Sequence, residues 1–561
     1  MRELGWLLLL WAGIGVGCNG GGGAGGGGHG IDGGVDAGAD AGADAPIDTP
    51  PADAPPDARP PGPAIMSTAT IGGFTQIRHG YEGGLEGFAD RLSIDGIELA
   101  DASSVMLGPL TGTIVSATGT QVLADVDIPH GFAPGPLAVT VSGPTWSVTS
   151  PNPITITRIV VGPGASPGGR GTDQSPAALC EPLVAYARAG ALLDLLAGTH
   201  MCNSAVPLPE VGIEIRGAGI GSTVIAPGFL GFIVGNEGVS MLPTRLHDLT
   251  VLAPGGPVIE LQKGTMPIGP LIVERLQVEG GTAGAVSLQQ YGPSGSGVES
   301  MVQIDDLSYA GAGTAIDLEY AMGSIAHTTI QGCEIGIHHR QGTGSVAVST
   351  TAIDDCATGI VIGELDVPWF EPEPGLTMQT SHIHAGSGVL VRRGDVSLEG
   401  IEVTASGHDG LWLAHGSLTL TAGTQVMSAH TAVAVAAFSD QYVALSATDA
   451  DLVGDRIGLD YASSEATALF LRNTLVQGGD LGLRLHTYTS STIDLGMATM
   501  PGGNALVGGM FAYTLISDYF GTYHAVGTTL NGTSYAGQLL TGPASSPPDY
   551  DIQAPLIGTQ F

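Results

Sequence analysis

A short alternation of apolar and variable positions, Gly/Ala-apolar-x-apolar, returns across more than half of the chain. It reads Ala285-Val286-Ser287-Leu288, Ala315-Ile316-Asp317-Leu318, Gly336-Ile337-His338-His339, Gly359-Ile360-Val361-Ile362, Gly388-Val389-Leu390-Val391, Gly410-Leu411-Trp412-Leu413, Ala432-Val433-Ala434-Val435, Gly458-Leu459-Asp460-Tyr461 and Gly482-Leu483-Arg484-Leu485. The steps between successive Gly/Ala positions are 30, 21, 23, 29, 22, 22, 26 and 24 residues. Period-2 alternation predicts a strand with one buried face, and a recurrence of this size predicts a solenoid. A second alternating run falls about halfway round most steps, among them 302–304, 346–348, 376–378, 396–398, 418–420, 443–445 and 469–471. Two or three short strands per step, joined by Gly, Asn, Asp and Ser corners, predict coils of parallel strands stacked along one axis.

Within such coils the middle residue of each repeat points away from the core. Read along the axis these residues form a ladder: Ser287, Asp317, His338, Val361, Leu390, Trp412, Ala434, Asp460, Arg484. Val361, Leu390, Trp412 and Ala434 are apolar between polar flanks, which predicts an exposed apolar strip. The 29-residue step carries Trp369 and Phe370 in a loop rich in proline and acid, a set suited to stacking sugar rings and binding their hydroxyls. The ligand-binding candidates are therefore Val361, Trp369, Phe370, Leu390, Trp412 and Ala434.

Charge narrows the class of partner. The 561 residues carry a formal net charge of −36, and Lys263 is the single lysine. A phosphate-neutralising surface is missing, so nucleic acid is excluded as a partner. Residues 1–18 have an apolar run at 4–14 and small residues before Cys18. The run is too short to span a membrane and reads as a secretory signal. The end of the segment resembles a bacterial lipobox; the resemblance implies lipidation of Cys18, and Asn19 after it implies the outer membrane. Residues 19–63 are almost wholly Gly, Ala, Asp and Pro, with Asp32, Asp36, Asp40, Asp44 and Asp48 spaced by four. That composition predicts a disordered, self-repelling acidic tether. Gly27 to Val35 approximate a calcium-binding nonapeptide but lack tandem copies, so no cofactor is expected, with calcium kept as the alternative.

Four cysteines remain, Cys180, Cys202, Cys333 and Cys356. An even set in an exported chain predicts disulfides. Separations of 22 and 23 residues equal about one step, which favours the pairs 180–202 and 333–356 over the two alternatives. Metal-ligand spacing of the CxxC kind is missing, and no metal site is expected.

Residues 64–157 have another texture, with short strands at eight-to-twelve-residue spacing, which predicts a small β-sandwich. Residues 92–99, 127–131 and 134–141 resemble the IPT/TIG immunoglobulin-like family, whose resemblance implies a spacer or binding module. Ser166 to Asp173, together with Ala197-Gly198-Thr199-His200, resembles the opening of bacterial right-handed parallel β-helix proteins of the pectate-lyase-like fold. The resemblance implies that 182–191 form a helix capping the first coil and that residues 158–561 are the β-helix with its terminal cap.

Pectin-degrading enzymes use that fold, but fold alone proves no activity. Gly407-His408-Asp409-Gly410 matches part of a polygalacturonase-like site, and the Arg-x-Lys that should accompany it is missing. Asp305-Asp306, Asp354-Asp355 and Asp449/Asp451/Asp455 are read as corner residues. Strand alignment puts His382 beside Glu402 and His384 beside Thr404, a conceivable acid/base pair, yet no residue is assigned as catalytic. The sequence therefore points to an all-β, monomeric surface lipoprotein that binds polysaccharide or an envelope surface without catalysis. A carbohydrate-active lyase or hydrolase on the middle coils, and a structural spacer, stand as alternatives.

Overall fold

The computed structural model describes residues 62–70, 88–128, 137–539 and 556–557, with short breaks, the longest at 236–240, 264–268, 291–298, 365–372, 437–441, 463–466, 488–491 and 518–522. Cys18, the acidic tether, Trp369 and Phe370 lie outside the described residues.

The N-terminal module is built from β1 (Ala64–Thr70), β2 (Phe88–Ile97), β3 (Ser104–Leu107), β4 (Leu110–Ala117), β5 (Gln121–Ile128), β6 (Val139–Ser142) and β7 (Ser147–Thr149). Alternation of buried and exposed positions, as in Leu92, Ile94, Val122, Ala124 and Val126, gives it a core of its own. All seven strands join antiparallel in one order, β1-β2-β5-β4-β3-β6-β7, and β7 returns close to β1. The seven strands form one hydrogen-bonded sheet that brings β7 back near β1, because β2 and β4 both pair with β5 and β3 carries the chain on to β6.

From Arg158 onward the strands pair in parallel with those about one coil away and form a β-solenoid of about eleven turns. Three faces run along it. The first holds the ladder repeats, in strands such as Val286–Gln290, Thr314–Leu318, Ile335–His339, Leu411–Leu413 and Ile457–Ala462. The second holds the halfway runs, such as Ser345–Ser349, Gly375–Gln379 and Gly416–Thr421, and the third holds Thr329–Gln331, Glu402–Ala405 and Gln425–Ser428. Flanking apolar residues of each ladder triplet, such as Leu411/Leu413 and Val433/Val435, are 0–2% exposed and join one continuous core. Each leucine of this kind makes a large apolar contribution, about 2–5 kcal/mol by truncation to alanine.

The ladder register agrees with the sequence at every step: Ser287 pairs with Asp317, Asp317 with His338, His338 with Val361, Val361 with Leu390, Leu390 with Trp412, Trp412 with Ala434, Ala434 with Asp460 and Asp460 with Arg484. Both disulfides form as expected, Cys180–Cys202 and Cys333–Cys356. Most of 182–191 lies outside the described residues; Val184 and Ala187 are buried there and make i+3 backbone bonds.

Between the second and third faces the chain turns in a corner so tight that one residue goes left-handed. Asp248, Asp306, His327, Thr350, Thr380, Ala422, Asp449 and Asn473 occupy it with φ from 44° to 62°. Asp355 does the same between the third and first faces, φ 56°. The corner reading of Asp306, Asp355 and Asp449 is therefore supported, whereas Asp305 and Asp354, each one residue before such a turn in the same strand, are not left-handed. Beside the left-handed corner lies a column of inward polar side chains, Thr328, Thr351, Ser381, Thr424, Thr474, Asn504 and Thr528, all under 9% exposed. Their hydroxyls and amide satisfy backbone groups that the turn removes from the sheet, as when Thr424 Oγ1 donates to Leu398 O at 3.0 Å and Thr351 Oγ1 to Ser349 O at 3.0 Å. The bend between the first and second faces has no such constraint. Its length varies from two residues, between Leu413 and Gly416, through twelve, between Ile362 and Gly375, to sixteen, between Leu539 and Leu556.

Candidate functional site

Strand alternation turns residues 338 and 340 to the same outward side, and register sets Asp317 directly beside His338. Arg340 grips Asp317 through two hydrogen bonds, Nε to Oδ1 at 2.8 Å and Nη2 to Oδ2 at 2.7 Å. His338 Nδ1 lies 3.3 Å from Asp317 Oδ1, and Arg340 Nη1 lies 3.5 Å from Glu364 Oε1. Two carboxylates, an arginine and an imidazole thus converge on the first face of the middle coils. Burial alone would raise the Asp317 carboxyl, but the hydrogen bonds from His338 and Arg340 and the guanidinium charge outweigh it and hold the group below its ordinary value. Arg340 is correspondingly raised by its bonds to Asp317. His338 is 8% exposed, and its Nε2 is buried without a hydrogen-bond partner. An imidazole anchored at Nδ1 by a charged carboxylate, with Nε2 free, is oriented to move a proton at Nε2.

Further charge follows the same edge. Glu364, Arg393 and His415 each stand two residues past a ladder strand, which end at Ile362, Val391 and Leu413. Glu373 lies 3.4 Å from Arg393 Nε and 3.3 Å from His415 Nε2. Past these groups the ladder turns apolar with Leu390, Trp412 and Ala434, all partly exposed. It then becomes charged again where Arg484 bonds Asp460 through Nε at 2.7 Å and through Nη2. Val361 does not belong to the exposed strip: it is 1% exposed, seated between the longer side chains of its ladder neighbours His338 and Leu390. The strip is three rungs, bracketed by ion-paired clusters. Asp317 and His338 were visible as ladder rungs; Arg340 and Glu364 were not singled out, although the i+2 offset of Arg340 from His338 already puts them on one side of a strand.

The third face carries a separate group. His382 pairs in register with Glu402 and His384 with Thr404, as expected. The side-chain contacts run diagonally instead, with His384 Nε2 3.7 Å from Glu402 Oε1. Asp354, in register with His384, places Oδ1 3.3 Å from His384 Nδ1 and 3.5 Å from His382 Nε2. An open groove of about 530 Å3 adjoins them, lined by Cys333, Cys356, His384, Thr404 and Ser406 among others. His408, part of the polygalacturonase-like match, stands apart from the Asp317 group, while Asp409 holds His430 at 3.2 Å.

The noncatalytic binding module expected from the sequence is corrected by these findings. Its four-rung exposed strip loses Val361, and an ion-paired group of Asp317, His338, Arg340 and Glu364 adjoins what remains. No family model matches the chain, and no curated protein matches it. Among solved structures it is similar to the Azotobacter vinelandii mannuronan C-5 epimerase AlgE6 A-module, with 13% identity and TM-score 0.36 over 63% of this chain and 91% of that one. The AlgE4 A-module from the same organism gives 14% identity and TM-score 0.32 over 63% and 90%. The catalytic domain of a GH87 alpha-1,3-glucanase gives 11% identity and TM-score 0.29 over 85% and 92%.

Proposed function

We propose that the chain is a carbohydrate-active enzyme whose acid/base centre is Asp317, His338, Arg340 and Glu364. One observation carries the reading: a carboxylate held ionised by a bidentate arginine anchors an imidazole whose second nitrogen is buried and has no partner. His338 Nε2 is buried, so glycan binding must first uncover it; it then takes a proton from the attacking water. Asp317 stabilises the imidazolium so formed, and Arg340 keeps Asp317 charged and presents Glu364 on its other side. Leu390, Trp412 and Ala434 offer apolar and aromatic area to sugar rings in line with the centre. His338 and Trp412 are three strand spacings apart, about 14 Å. A net charge of −36 repels polyuronates and favours a neutral glycan, hence hydrolysis over β-elimination.

The reading also takes the chain to be exported and lipid-anchored at Cys18 in the outer membrane, with the N-terminal module as an IPT/TIG-like spacer. Two disulfides suit an oxidising compartment. The test is a panel of neutral and uronate polysaccharides, read by new reducing ends and by the absorbance of unsaturated uronates. Wild type releases reducing ends from a neutral glycan, and D317N and H338A each lose about 10²–10⁴-fold in rate. Full activity of either folded variant, or turnover of no glycan in the panel, refutes it.

A further inference from the structure

The third face bears a group that the proposed acid/base centre does not use. His382 and His384, two apart on one strand, both point outward, and Asp354 on the preceding coil stands between them. One ligand atom from each of the three residues lies within 4.8 Å of the others. Asp354 Oδ1 is 3.3 Å from His384 Nδ1 and 3.5 Å from His382 Nε2. Donors held about 2.0–2.1 Å from a tetrahedral metal stand about 3.3–3.4 Å apart, so the two carboxylate–imidazole separations match that spacing and the imidazole pair lies within 4.8 Å. From the following coil, Glu402 Oε1 comes within 3.7 Å of His384 Nε2, the nitrogen that would stay free once Nδ1 binds metal. A carboxylate facing the second imidazole nitrogen is the arrangement that fixes a metal-bound histidine.

We propose that Asp354, His382 and His384 bind one divalent first-row metal of the zinc class, with Glu402 orienting His384. Two imidazoles and one carboxylate suit zinc over calcium or magnesium, which take oxygen-rich shells. The three side chains are 31–47% exposed, so a fourth coordination position faces solvent beside the groove lined by His384, Thr404 and Ser406. Parallel strands set all the ligands: register holds Asp354 against His384 and His382 against Glu402, so the site is organised by the sheet rather than by a loop. It lies across the Asp355 corner from the ladder and does not depend on the function assigned there.

The experiment is equilibrium dialysis of the full chain against zinc, with metal per protein measured in wild type, H384A, D354A, E402Q and the H382A/H384A pair. Visible absorption of bound cobalt reports tetrahedral geometry, and circular dichroism confirms that each variant is folded. One tightly held equivalent is expected in wild type. The double variant loses it, H384A and D354A weaken it at least about 100-fold, and E402Q weakens it about 10–100-fold. D317N serves as the control, with unchanged stoichiometry. No tight equivalent in wild type, or equal binding by the double variant, overturns the proposal. Loss of zinc in E402Q as complete as in the double variant makes Glu402 a direct ligand and overturns its orienting role.

Discussion

Asn504 gives the sharpest test of how the solenoid holds its corners. Its Nδ2 donates to Leu471 O at 3.1 Å and to Leu495 O at 2.9 Å, while its Oδ1 accepts from Thr474 N–H at 3.1 Å. The side chain is 1% exposed, so no solvent replaces these partners on truncation. Replacing Asn504 by alanine takes the acceptor from Thr474 N–H and one donor from each carbonyl, although Leu495 O keeps the bond from Thr528 Oγ1 at 2.8 Å. A buried polar group left unmet costs about 1–3 kcal/mol and a lost bond about 1 kcal/mol, so the change sums to about 2–4 kcal/mol. Because a solenoid is stabilised coil by coil, the loss is local. Hydrogen exchange on 467–478 and 505–508 should accelerate about a hundredfold, while 259–331 keeps its protection. A loss below about 0.5 kcal/mol, or equal acceleration along the whole stack, would refute both the bonding argument and the coil-wise one.

Other expectations follow from the same physics. His339 is fully buried and held neutral, its imidazole pushed down to about 4 by burial. Its folded value lies below the unfolded one, so the unfolded chain binds the extra proton first and stability falls as pH drops from about 6.5 towards 4. Urea titrations across that window should show the loss, on the order of 3 kcal/mol, and H339L should flatten it if folded. Thr380 is exposed and β-branched at φ 44°. Thr380→Gly should relieve strain and stabilise by up to about 1 kcal/mol in thermal unfolding, since a left-handed non-glycine residue costs about 1–2 kcal/mol and glycine returns part of that as unfolded-state entropy. Trp412→Ala should raise KM for the cleaved glycan about tenfold with kcat nearly unchanged, because it removes a stacking surface distant from His338; a change confined to kcat would contradict the platform role.

The fold was legible because its signals are repetitive. Each Gly/Ala-apolar-x-apolar triplet states its own face, and the steps between triplets state the partner, which is why every ladder pair from Ser287 to Arg484 and both cystines could be read before any coordinates. The site was legible only in part. Asp317 and His338 were on the page as rungs, but their union depends on Arg340 reaching back two positions along one strand and across one coil. Glu364 lies beyond a strand end, where no periodicity speaks. Val361 misled because alternation gives direction and not depth: a short side chain between a histidine and a leucine points outward and still meets no water.

The unequal freedom of the bends has a consequence for descent. Through the middle coils the left-handed corner keeps two or three residues beside its column of satisfied hydroxyls, taking ten only between Asp494 and Ala505, whereas the bend after the ladder strand ranges from two residues to sixteen. Insertions through the middle coils are therefore concentrated on one rim, the one that borders Glu364, Arg393 and His415. Lineages of this architecture can remodel the wall beside their chemistry, and so trade one glycan for another, while the opposite seam stays fixed.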